Sequence, residues 1–176
     1  MRVIGLAGWS GAGKTTLIVK LIPFLCQRGF SVSTLKHAHH AFDVDQPGKD
    51  SYLHRDAGAR EVLVASDKRF ALMHELRGAP EPTLAELLRR MSPADLILIE
   101  GYKRDPHVKI EVHREANEKP WLYPQDNSIA AVATDAREGV PSHLPHAHLD
   151  DIHAIAGLLL ALARPVEEML WRITGA

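Results

Sequence analysis

With a single cysteine, Cys26, in 176 residues, the chain can form no internal disulfide and no thiolate zinc site. A reducing cytoplasm suits such a chain better than secretion. Long apolar runs are missing too. The stretch around residues 158–162 is far too short for a bilayer crossing, and the opening residues 1–7 contain no apolar segment that ends in a small-residue cleavage site. Nor does one charge predominate: 21 Lys and Arg stand against 22 Asp and Glu, a net charge of -1. That balance supplies no field to attract a polyanionic duplex or an anionic membrane, so neither nucleic acid nor a membrane is an expected partner. Internal repeats and low-complexity tracts are also absent. What remains, at 45% hydrophobic and 24% charged residues, suits one α/β domain with a full core and hardly two. One domain over residues 1–176 is the expectation. The composition is odd in one respect, because its 11 histidines outnumber Phe, Tyr and Trp combined.

Residues 3–7 form a short apolar run, and a helical pattern follows with Leu17, Ile18, Leu21, Ile22 and Leu25 on one side; Pro23 should kink it and Gly29 stop it. Residues 30–35 alternate like a strand and lead into a polar, His-rich loop at 36–50. A short helix at 51–60 is followed by two β-prone runs, 61–65 and 69–73, joined by Ser66-Asp67-Lys68 in the manner of a hairpin. Thr83 and Glu86 have capping-box spacing before a further helix. Residues 96–99 read as a central parallel strand covered on both faces. Val108, Ile110 and Val112 alternate with polar neighbours, predicting a strand with one solvated face and an edge open to another subunit. Residues 129–133 predict another buried strand, and Asp151 the cap of a helix that Pro165 interrupts before a last short turn. The expected fold is α/β: a mainly parallel open sheet flanked by helices, with the hairpin as an insertion or an antiparallel edge.

The sharpest signal is Gly8-Trp9-Ser10-Gly11-Ala12-Gly13-Lys14-Thr15, which satisfies G-x-x-x-x-G-K-[S/T] between a strand and a helix and so makes the fold one of P-loop NTPase type. Backbone N–H groups can converge on phosphate oxygens only where side chains are small or absent, which accounts for Gly8, Ser10, Gly11, Ala12 and Gly13. Lys14 adds a cation for the β and γ phosphates and Thr15 a hydroxyl for Mg²⁺, while Thr16 is within reach of the α phosphate. Glu100, at the end of a buried strand, is a candidate metal carboxylate or else the cap of the turn at Gly101. Asp43 and Asp45 are competing metal ligands or ordinary loop polarity. Lys36, His37, His39 and His40 follow a strand directly, so they share the carboxyl edge of the sheet with the phosphate loop, as phosphate or metal contacts or as a solvated loop. Lys49, in Pro47-Gly48-Lys49-Asp50-Ser51, is a candidate anion contact, and Trp9 a shield for the site or a surface-packed ring. Asp135, after another buried strand, could accept from the N1–H and amino group of guanine, a donor pair that adenine lacks, or else cap the next turn. His143, His146, His148 and His153 have no rigid ligand spacing.

The phosphate loop with Thr16, the Lys36-His37-Ala38-His39-His40 stretch, Asp45-Gln46-Pro47-Gly48-Lys49-Asp50-Ser51 and Glu100-Gly101-Tyr102-Lys103 together resemble the MobB family of molybdopterin-guanine dinucleotide biosynthesis adapters, from the first strand to about Asp135. The resemblance implies a cytoplasmic, usually dimeric GTP-binding protein with slow Mg²⁺-dependent hydrolysis. It also implies that the protein assists attachment of GMP to molybdopterin alongside a guanylyltransferase and molybdenum-insertion proteins. Position by position it implies phosphate and Mg²⁺ binding at Gly11, Gly13, Lys14, Thr15 and Thr16, with Glu100 near the metal. No residue is identified as catalytic, so at most a slow GTPase is expected. Two other classes compete. One is a GTP-dependent nickel or zinc metallochaperone using the histidines; the other is a small-molecule kinase, for which the arginines Arg55, Arg60, Arg89 and Arg90 are scattered candidates for a lid.

Overall fold

A computed structural model describes residues 1–38, 42–140 and 142–174, so His39 and His40 of the His-rich stretch lie outside the described residues. The chain divides into two compact units, Met1–His37 with Leu84–Ala176, and Ala38–Thr83. The first unit begins with β1 (Arg2–Ala7), α1 (Lys14–Cys26) and β2 (Val32–Lys36). The second holds α2 (Asp50–Asp56), β3 (Glu61–Ala65) and β4 (Phe70–His74). The first then resumes with α3 (Leu84–Arg90), β5 (Leu96–Glu100), β6 (Lys109–His113), β7 (Ile129–Thr134), β8 (His146–His148), α4 (Ile152–Leu162), β9 (Arg164–Pro165) and α5 (Val166–Thr174). Among the described residues no helix is long and apolar enough to cross a membrane.

The main sheet runs β2-β5-β1-β6-β7-β8, every neighbouring pair parallel, and the short β9 pairs antiparallel with the start of β1. Alternation along the strands supplies two cores. Ile4, Leu6, Leu96, Leu98, Ile110 and Val112 face the helices α1 and α4 through Leu17, Leu21, Leu25, Ile155 and Leu159. Val3, Ile97 and Ile99 face Leu84 and Leu88 of α3 and Val166 and Met169 of α5. A strand covered on both faces by apolar helix surfaces must be apolar throughout, and the sequence Leu-Ile-Leu-Ile of β5 meets that demand. Helix α1 runs through Pro23 to Cys26, and Gly29 turns in the left-handed region at φ 85°. Asp151 caps α4 as expected, its carboxylate accepting from the Ala154 N–H at 2.9 Å.

Two expectations are corrected, and one unforeseen strand stands between them. Strand β6 has no solvated face: all five of its residues are buried, and it lies between β1 and β7, so it offers no edge to another subunit. Its polar residues are satisfied from within. Lys109 donates to the carbonyl of Asp105 at 2.5 Å, to Asp126 at 3.2 Å and to the Ser128 hydroxyl, and Glu111 accepts the backbone N–H groups of Leu122 and Tyr123 at 2.7 and 2.9 Å. The long β6–β7 connection covers this face, and its free backbone groups need charged partners, which an apolar strand could not provide. His146–His148 forms the unforeseen β8 beyond β7, a three-residue strand too short for periodicity to reveal. Second, the chain after Pro165 is not a short turn. It is the nine-residue helix α5, held to the sheet by Val166 and Met169.

In the second unit β3 and β4 form the expected antiparallel hairpin as a sheet of its own, with Leu63 opposite Leu72 and Ala65 opposite Phe70. Arg55 of α2 ties this unit together, its guanidinium donating to Asp43 at 2.8 Å, Asp45 at 3.2 Å and Glu75 at 2.9 Å.

Candidate phosphate-binding site

The phosphate loop lies between β1 and α1, at the carboxyl edge of the parallel sheet. Its two outer glycines are needed for backbone reasons. Gly8 (φ 152°) passes so near the Val112 carbonyl that a Cβ there would collide with it. Gly13 (φ 93°) turns left-handed as the cap of α1, and a Cβ on it would sit 3.3 Å from Nη2 of Arg114. The start of a 13-residue helix thus points its free N–H groups and the positive end of its dipole into the loop.

Lys14 folds back over this loop, its ammonium donating to the Gly8 and Trp9 carbonyls, both at 3.0 Å. Burial holds its pKa below the ordinary lysine range; Glu100 opposes the shift, while Lys103 and Lys36 add to it. The Thr15 hydroxyl donates to Glu100 at 3.2 Å, and the other carboxylate oxygen of Glu100 lies 3.9 Å from the Lys36 ammonium. The register explains this grouping: Leu6 of β1, Glu100 of β5 and Lys36 of β2 stand in line across three adjacent strands. Gly101 (φ 98°) then lets the chain turn against His37, whose backbone N–H donates to the Glu100 carbonyl at 2.8 Å. Lys14, Thr15, Lys36 and Glu100, singled out from sequence, therefore converge in one place. Thr16 follows on the first turn of α1, exposed like Thr15.

The other carboxylate candidates have partners of their own. Asp45 and Lys49 belong to the second unit, where Asp45 accepts from Ser51 at 2.9 Å as well as from Arg55, and Lys49 precedes α2. Asp135, just past β7, has both oxygens engaged: one receives Arg114 at 3.1 Å and the other the backbone N–H of Glu115 at 2.8 Å. The turn there is capped by Thr134 instead, whose hydroxyl accepts from the Ala136 N–H at 3.0 Å. Of the later histidines, His146 and His148 are exposed on β8, and the His153 ring meets Phe24 edge-on. Among the described residues no group of three His, Cys, Asp or Glu is arranged to hold a metal ion.

The start of the β6–β7 connection braces the phosphate loop, and sequence reasoning did not single out its residues. Asn117 donates to the Ser10 carbonyl at 2.9 Å, and the Trp9 indole to the Pro120 carbonyl at 2.8 Å. The Lys103 ammonium lies 5.0 Å from the centre of the Trp9 ring. Behind this brace Trp121 stacks on His113 with ring centres 3.7 Å apart. The available signal was positional: Arg114 directly follows β6, and in a parallel sheet every strand's carboxyl end opens on the same edge.

The arrangement can bind a polyanion through backbone N–H groups and lysine, with a hydroxyl and a carboxylate beside it. Comparison with known proteins identifies the family. The profile of the MobB family, described as molybdopterin guanine dinucleotide synthesis protein B, matches residues 3–135. The molybdopterin-guanine dinucleotide biosynthesis adapter protein of Escherichia coli (strain K12) is 46% identical over 159 residues, spanning 89% of this chain and 88% of its own length. The protein of the same description from Haemophilus influenzae is 43% identical over 136 residues, 76% of this chain and 74% of its own. The crystal structure of a molybdopterin-guanine biosynthesis protein B superposes with a TM-score of 0.71 at 26% identity, covering 91% of this chain and 99% of that one.

Proposed function

Because this chain belongs to the MobB family, we propose that it is an adapter in molybdopterin-guanine dinucleotide biosynthesis that binds GTP with Mg²⁺ at the phosphate loop and hydrolyses it slowly. The observation that carries this reading is the meeting of Lys14, Thr15 and Glu100 at the mouth of the Gly8–Thr15 loop. Gly8, Ser10, Gly11, Ala12 and Gly13, with side chains small or absent, let phosphate approach the loop's backbone, Lys14 swings from its two carbonyls to the β and γ phosphates, and Thr16 meets the α phosphate. A hydroxyl and a carboxylate oxygen 3.2 Å apart form a hard donor set and can be neighbours in one octahedral shell, whose edges are about 3 Å for Mg²⁺. The ion would neutralise phosphate charge there. Lys36 balances Glu100, and each Asp135 oxygen keeps a lone pair for a guanine edge.

Slow turnover follows from the side chains present. None of those described at the loop is an evident group to orient an attacking water, so the bound nucleotide outlasts many encounters with a partner. The partners are the guanylyltransferase, which performs GMP transfer, and molybdenum-insertion proteins. Its setting is the cytoplasm, where the thiol of Cys26 stays reduced.

Calorimetric titration with GTP, GDP and ATP in Mg²⁺ tests the reading. Wild type is expected to prefer guanine nucleotides. Lys14→Ala loses roughly 100-fold or more in affinity for all three, about 2.7 kcal/mol. Asp135→Ala loses roughly tenfold of the guanine preference, about 1.4 kcal/mol. Full affinity in Lys14→Ala would refute the assignment.

We also propose a homodimer formed through the hairpin. One face of β3–β4 carries Leu63, Phe70 and Leu72, at 60%, 70% and 51% exposure, an apolar patch costly to leave in water. Leu63→Lys with Leu72→Lys is expected to halve the mass seen by light scattering after size exclusion; an unchanged mass would rule this face out as the interface.

A further inference from the structure

We propose that Arg114 is a second phosphate-binding cation of this site and that Asp135 is its positioning residue, an inference that rests on the nucleotide reading. Arg114 emerges from the carboxyl end of β6, the strand beside β1. Its guanidinium lies along the last glycine of the phosphate loop, with Nη2 at 3.3 Å and Nε at 3.8 Å from where a Cβ on Gly13 would stand. Among the described residues only Nη1 is bonded, to Asp135 at 3.1 Å, and Asp135 is itself fixed by the Glu115 N–H at 2.8 Å. Among the described residues the two nitrogens nearest Gly13 donate to nothing.

The electrostatics favour the same conclusion. The N-terminal end of α1, Lys14, Lys36 and Lys103 already make this corner positive, and Glu100 and Asp135 are the carboxylates that oppose them here. Asp135 offsets the charge of the guanidinium added here, and an anionic ligand would meet both the guanidinium and the lysines. Stability does not account for the placement, because the Arg114–Asp135 pair is partly exposed, at 43% and 25%, and exposed pairs contribute little. A planar fork with one prong anchored and two donors left over suits an oxygen of a nucleoside di- or triphosphate, where charge-assisted bonds are strongest. The anchor sets the fork's direction in advance, so less side-chain freedom is lost when the ligand arrives.

The test is titration of the full chain with GTP, ATP and GDP in Mg²⁺, using wild type, Lys14→Ala, Arg114→Ala, Arg114→Lys and Asp135→Asn. Arg114→Ala is expected to weaken all three nucleotides at least tenfold with an unchanged melting temperature in their absence. Arg114→Lys should recover part of the loss, since it restores the charge without the fork. On GTP, Arg114→Ala combined with Asp135→Asn should fall short of the product of the single losses, because Asp135 acts partly through Arg114. Arg114→Ala binding like wild type while Lys14→Ala fails to bind would overturn the arginine's role and leave the nucleotide reading standing. A loss confined to GTP and GDP, with ATP untouched, would put the arginine at the base and overturn the proposal. No binding of any nucleotide by wild type would remove both.

Discussion

Lowering the pH from 7 to 4 is expected to cost the folded protein about 3 kcal/mol through His107 alone, and His107→Leu to abolish that share of the loss. The His107 ring is fully buried beside Gly5, and neither of its nitrogens has a hydrogen-bond partner among the described residues. Burial, with the Lys109 ammonium adding to it and Asp126 opposing, pulls its pKa from 6.5 down to about 3. Between those values the unfolded chain binds a proton that the native state refuses. Stability therefore falls as the pH drops through this window, and the total loss approaches about 5 kcal/mol near pH 2. Glu111 and Asp105, whose carboxyl pKa values burial raises, act in the opposite sense, so the informative quantity is the difference between wild type and variant. Urea unfolding at pH 7, 5.5 and 4 measures it. Leucine also removes two unsatisfied nitrogens, so the variant should equal or exceed wild type at pH 7. Parallel pH curves for the two proteins would disprove the assignment.

Lys109→Met is expected to destabilise the fold by about 3–5 kcal/mol although methionine fills much the same space. The Lys109 side chain is 1% exposed, and its ammonium is shared by Asp126, Ser128 and the Asp105 carbonyl. Its removal leaves the Asp126 carboxylate, 27% exposed, and a hydroxyl and a carbonyl without their common donor, at a spot that water does not reach from the lysine's side. Adding Asp126→Asn should restore part of the loss, since the unpaired charge causes most of it. The urea midpoint reads both effects, and a single variant within about 0.5 kcal/mol of wild type would contradict the role given to this buried cation.

These two residues also mark where sequence reasoning went wrong. Alternation of Val108, Ile110 and Val112 with Lys109 and Glu111 has the period of a half-solvated strand, yet β6 is central and covered on both sides. Periodicity reports which side chains are polar and not what lies against them. Here a polar connection lies there, and its backbone donors and acceptors are met by the strand's charges. The hydrophobic strand β5, the hairpin, the cap Asp151 and the phosphate loop were all legible, because each depends on residues close together in sequence. Strand β8, with three residues, carries too short a pattern to read.

By itself the sequence determined the glycine-rich loop, the strand before it and the helix after it, since glycine conformations and a helix N-terminus are local properties of the chain. It also indicated that Lys36 and Glu100 stand at one edge, because parallel strands all open on the same side. Only the tertiary structure decided which strand lies beside which. Strand order brings Glu100 to Thr15 across 85 positions and Arg114 to Gly13 with Asp135 behind it, and it buries His107 and Lys109. Contacts between distant residues arise from packing the whole sheet, where many weak burial terms act together, and no short window of sequence contains them.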